Sequence, residues 1–84
     1  MKPRQEFPQI RVKYDIVKQL KRIEDEVQEA RAEVGKDRKK LLEELVDVVQ
    51  ATFTAMYCEG YSNKQIDLAI NRMRNKNRKR GYYD

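Results

Sequence analysis

Ile16, Leu20, Ile23, Val27, Ala30 and Val34 follow one another at steps of 4, 3, 4, 3 and 4 residues. That spacing commits the segment to an amphipathic helix with one narrow apolar stripe. Asp15 stands ahead of it as an N-cap and Gly35 behind it as a C′ residue, so a first helix is predicted over residues 15–34. Gly35-Lys36-Asp37 makes a short turn, and Asp37 caps a second helix reaching to about residue 59. Leu41, Leu42, Leu45, Val46, Val48, Val49, Thr52, Phe53, Met56 and Tyr57 cover more than half of its circumference. A helix this apolar is predicted to be covered on two sides and so to be the central element.

Gly60 ends the second helix, and Ser62-Asn63-Lys64-Gln65 matches the S-x-x-Q capping box, which starts a third helix near Asn63. Ile66, Ala69, Ile70 and Met73 form its apolar face, after which Arg72 to Arg80 is almost wholly basic and polar. There is no internal repeat and no β-like alternation of useful length. The predicted fold class is all-α, a small helical bundle of three main helices whose first two form an antiparallel hairpin. Residues 1–13, with Pro3 and Pro8 and no periodicity, read as an N-terminal arm that Phe7 and Ile10 anchor to the core or to a neighbouring subunit. Residues 14–84 read as one domain carrying a basic C-terminal segment at 72–84.

Hydrophobic and charged residues each make up 39% of the 84, a polar share too large for a self-sufficient core, so completion by homo-oligomerisation is expected. One cysteine, Cys58, and no histidine exclude an intramolecular disulfide, Cys/His zinc sites and histidine-based catalysis. Cys58, near the end of an apolar helix, is expected to be inert. No apolar run is long enough to span a bilayer and the opening residues have no signal-peptide core, so a cytoplasmic protein without a membrane partner is expected. The charge is uneven. Through Gly60 there are 12 Lys and Arg against 12 acids, and from Tyr61 onward 7 against 2, which is the whole net charge of +5. The electropositive end faces a partner rich in anions.

Two acidic pairs interrupt the apolar pattern, Glu26-Val-Gln-Glu29 and Glu44-Leu-Val-Asp47. Three-residue spacing puts the members of each pair about 60° apart on a helix. Placing Ile23 at the origin, Glu26 falls at about −60°, bordering the buried stripe, and Glu29 at about −120°, further out. Two such helices side by side gather four carboxylates, whose repulsion calls for a cation. An all-oxygen set suits Mg²⁺ or Mn²⁺ rather than zinc. Ala51 and Ala55 continue the strip beyond Asp47 and leave room for a ligand.

With these residues in place, the chain resembles the MazG-like branch of the all-α nucleoside triphosphate pyrophosphohydrolases, which carry E-E-x-x-E followed by E-x-x-D. Asp25-Glu26-Val27-Gln28-Glu29 stands at the first motif and Glu44-Leu45-Val46-Asp47 at the second, with 14 residues between them. Lys76-Asn77-Arg78-Lys79-Arg80-Gly81-Tyr82 is similar to the K-N-x-x-R-G-aromatic close of small members. The resemblance implies cleavage of an NTP or dNTP to a monophosphate and pyrophosphate. It implies Mg²⁺ held by Glu26, Glu29, Glu44 and Asp47, and phosphate contacts from Lys76, Asn77 and Arg80. It also implies a dimer or tetramer with sites at or near subunit interfaces. In such a site Glu29 is the candidate to orient or deprotonate the attacking water, with Glu44 and Asp47 completing the catalytic set.

Blander readings stand beside these. Glu26 and Glu29 alone fit a solvated helix flank, and Glu44 and Asp47 fit pairing with Arg22 or Lys40. The basic run fits a solvated helix end favoured by the macrodipole, or a nucleic-acid contact with Tyr82 and Tyr83 stacking on bases. Phe53, Tyr57 and Tyr61 read as core. The alternative function is a non-enzymatic basic helical module that binds nucleic acid or a partner protein.

Overall fold

The computed structural model describes residues 15–81, which form three α-helices and no strand: α1 (Ile16–Ala32), α2 (Arg38–Cys58) and α3 (Asn63–Lys79). The expected N-terminal arm, with Phe7 and Ile10, lies outside the described residues, as do Tyr82 and Tyr83.

Each helix begins where the sequence places a cap. Asp15 Oδ1 accepts from the amides of Val17 and Lys18, and Asp37 Oδ1 from those of Lys39 and Lys40, at 2.9–3.2 Å. The Ser62–Gln65 box is reciprocal: Gln65 N–H donates to Ser62 Oγ at 3.1 Å and Ser62 N–H to Gln65 Oε1 at 2.8 Å. Gly60, at φ +89°, closes α2 in a Schellman motif, with Tyr61 N–H donating to Met56 O and Gly60 N–H to Tyr57 O.

α1 and α2 form the expected antiparallel hairpin; Gln19 meets Ala51, while Glu26 meets both Glu44 and Asp47 nearer the turn. Ala30, Ala51 and Ala55 are buried, and Ile23 and Val48 are half-buried. Phe53 is also buried, its ring 5.9 Å from that of Tyr57.

α3 departs from a closed bundle. The extensive helix packing among the described residues is that of α1 on α2, and α3 docks chiefly through Ile66, 3% exposed, near its first turn. Ala69 and Met73, expected on the covered face of α3, are exposed.

α2 is buried around much of its circumference in its second half, where Ala51, Phe53, Thr54 and Ala55 are all buried and Ala51 and Phe53 point about 200° apart, whereas Leu42, Leu45, Val46 and Val49 nearer its start remain exposed. Tyr61, expected in the core, is 53% exposed, because it stands just past the turn-making Gly60 where the chain leaves α2.

Candidate metal centre

Glu26 from α1 and Glu44 and Asp47 from α2 converge on one side of the hairpin, with one oxygen of each within 4.8 Å of the others. Glu26 and Glu44 are half-buried and Asp47 is exposed. The antiparallel arrangement produces the cluster: Glu26 of α1 faces the Glu44–Asp47 turn of α2, and the i to i+3 step keeps those two acids on one side of α2. Among the described residues none of the three has an ion-pair partner, and the ion pair of this region, Lys21–Asp25 at 2.7 Å, lies on the exposed flank. Pairing of Glu44 or Asp47 with Arg22 or Lys40 is therefore not found.

The carboxyls feel one another. Partial burial first, then Glu29, Asp47 and Glu44, hold the Glu26 carboxyl above the usual range, opposed by Arg22. Burial, then Glu29, Asp47 and Glu33, do the same for Glu44, opposed by Lys40. Glu29 is thus a close electrostatic neighbour of both while its own oxygens stand outside the three-membered cluster. That agrees with its greater angle from the helix contact.

A cleft of about 320 Å³ opens beside the carboxylates. α1 lines it with Gln19, Arg22 and Glu26, and α2 with Asp47, Gln50, Ala51 and Thr54. Ala51 leaves the expected room, whereas Ala55 is buried and does not line the cleft. Gln19, Gln50 and Thr54 were not singled out in the sequence. The signal was available, since 19, 22 and 26 share one helix face, as do 47, 50 and 54, but neutral polar residues on a helix carry no distinctive pattern. The walls are held in place: Gln19 Nε2 donates to Ala51 O at 3.0 Å and Gln50 Nε2 to Thr54 Oγ1 at 3.1 Å. Thr54, 4% exposed, donates in turn to Gln50 O.

Lys76, Asn77 and Arg80 lie at the far end of α3 and do not line the cleft. Lys76 and Arg80 are exposed, and Asn77 Nδ2 donates to Met73 Sδ at 3.2 Å. The cation that the cleft does contain is Arg22. No family model, curated protein or solved structure matches the chain, and no helix among the described residues is long and apolar enough to cross a membrane.

Proposed function

We propose that the chain is a divalent-metal-dependent nucleoside triphosphate pyrophosphohydrolase of MazG-like type, cleaving an NTP or dNTP to a monophosphate and pyrophosphate. One observation carries the reading: three carboxylates from two helices meet beside an open polar cleft, and none of the three is ion-paired among the described residues. The donor set fits Mg²⁺ or Mn²⁺, being all oxygen, carrying excess negative charge and standing next to space for further ligands. Glu26, Glu44 and Asp47 would hold the ion, with Glu29 at the rim. When bound, the ion supplies Lewis acidity toward phosphate oxygens and neutralises their charge.

The chain's own residues do the rest. Glu29, outside the cluster but within its field, orients the attacking water and accepts its proton. Arg22, on the cleft wall, meets phosphate charge from within the same chain. Lys76, Asn77 and Arg80 do not line the cleft, and in this reading they reach the phosphates from α3 of another copy.

The test is pyrophosphate release from a panel of standard and modified nucleoside triphosphates with Mg²⁺ or Mn²⁺, beside an Asp47→Ala control. Metal-dependent release by the wild type alone supports the reading. No release together with no metal binding removes it.

The exposed, sparsely packed α3 favours a second reading, a basic helix that binds nucleic acid. That protein would tolerate Asp47→Ala and show a steep salt dependence, reduced on removing Arg78 or Arg80.

A further inference from the structure

At the end of the cleft away from the carboxylates, the polar side chains are largely committed to the walls. Thr54 donates its hydroxyl proton to Gln50 O and accepts from Gln50 Nε2. Gln19 donates its amide to Ala51 O. Ala51 O can only accept, so the end of the amide that faces it is the NH₂, and Oε1 is the other end. That oxygen has no hydrogen-bond partner among the described residues. Gln19 is half-buried, and no buried side-chain oxygen among the described residues lacks a partner, so Oε1 is open on the cleft that Gln19 lines. It is an acceptor whose orientation is fixed by the bond on the other side of its own amide.

Its position follows from the helix. Gln19 and Glu26 carry side chains of equal length on α1, and their seven-residue separation sets them about 10 Å apart along its axis. Arg22 stands between them on the same wall, and the small Ala51 faces Gln19 from α2. Carboxylate, cation and neutral acceptor thus follow one another along α1. A nucleotide lying in the cleft with a metal-bound phosphate at Glu26 would pass Arg22 with its phosphates and bring its nucleoside to Gln19. An acceptor at that point selects for a donor. A base amino group or a sugar hydroxyl completes the bond, a base carbonyl sets lone pairs against each other, and a missing hydroxyl leaves Oε1 without a partner.

Resting on the nucleotide reading of the cleft, we propose that Gln19 is a specificity-determining residue. Its Oε1 accepts a hydrogen bond from a donor on the nucleoside, so nucleotides with an amino or hydroxyl group there are taken over those with a carbonyl or nothing.

Isothermal titration calorimetry of the full chain with nucleoside monophosphates and Mg²⁺ reads this preference without turnover. In dCMP against dUMP and AMP against IMP, a carbonyl replaces a base amino group. In CMP against dCMP, and dCMP against dideoxycytidine monophosphate, one sugar hydroxyl is removed. The wild type should favour the donor-bearing member of one set by about tenfold, and that set names the group Gln19 meets. Gln19→Met, which lacks the acceptor, should bring the ratio to about one. Should Gln19→Met unfold, the side-chain amide resonance of wild-type Gln19 decides, since it should move with the donor-bearing nucleotide and not with its counterpart. A wild type indifferent to every pair overturns the proposal. So does a ratio unmoved in folded Gln19→Met, or a Gln19 resonance that both members move alike. Pyrophosphate release from the matching triphosphates separates the two readings. Preference without release removes the hydrolase and keeps the role of Gln19, whereas release with unmoved ratios removes that role alone.

Discussion

Gln19 Nε2 donates to the backbone carbonyl of Ala51 at 3.0 Å, a side-chain bond that ties α1 to α2 along the floor of the cleft. It uses the second lone pair of a helical carbonyl, so it adds to the backbone ladder rather than replacing part of it. Gln19→Met keeps the length of the side chain and removes the donor. It should cost about 1 kcal/mol in urea unfolding, a fall of about 4–8 °C in Tm for a chain this size. An unchanged midpoint would show that water serves the carbonyl equally well.

The repelling carboxylates make a prediction whose sign follows from their raised pKa values. Glu26 and Glu44 bind protons more tightly folded than unfolded, so their contribution is full below the ordinary carboxylate range and is lost as pH rises through their raised values. Asp47→Asn removes one repelling charge. In metal-free buffer it should raise Tm at pH 7 and leave it unchanged near about pH 3, where carboxylates are protonated. Thermal melts at the two pH values check this, and equal effects at both would mean that the carboxyls act independently.

Metal should act on stability as well as on rate. An ion bound by Glu26, Glu44 and Asp47 bridges both helices and favours the folded hairpin by about 2.7 kcal/mol at a hundred times its Kd. Wild-type Tm should therefore climb with Mg²⁺ or Mn²⁺ concentration, while that of Asp47→Ala stays flat. Parallel curves would place any bound ion elsewhere.

Ser62→Ala should separate α3 from the hairpin. The capping box is worth about 1 kcal/mol to the first turn, and α3 has little other packing to compensate. Amides of residues 64–68 should exchange about fivefold faster, with those of α1 and α2 unchanged. Uniform acceleration through all three helices would show that they unfold as one unit.

How much was legible beforehand follows from the range of each interaction. Asp15, Asp37 and the Ser62–Gln65 pair act within three residues, and Gly60 and Gly81 take positive φ at the C′ position, whereas Gly35, expected there, lies one residue further on in the turn because α1 is capped at Glu33. Those boundaries need no knowledge of neighbours, and the structure places them within two residues of expectation. The acid pairs were legible as partners because the hairpin follows from two helices and a short turn. That three carboxylates close up while Glu29 stands at the rim is a matter of rotation about the contact line, which local sequence does not set.

The sequence alone determined three helices, their limits, the antiparallel hairpin and the side on which its acids gather, all from contacts of at most one turn or one loop. The tertiary structure decided which apolar positions are covered. Periodicity marks a stripe but names no neighbour: Ile23 and Ala30 turn to α2, while Leu20 and Val27 from the same stripe remain in water. For the same reason the apolar face of α3 is covered unevenly: Ile66 is buried and Ile70 half-buried, while Ala69 and Met73 are exposed.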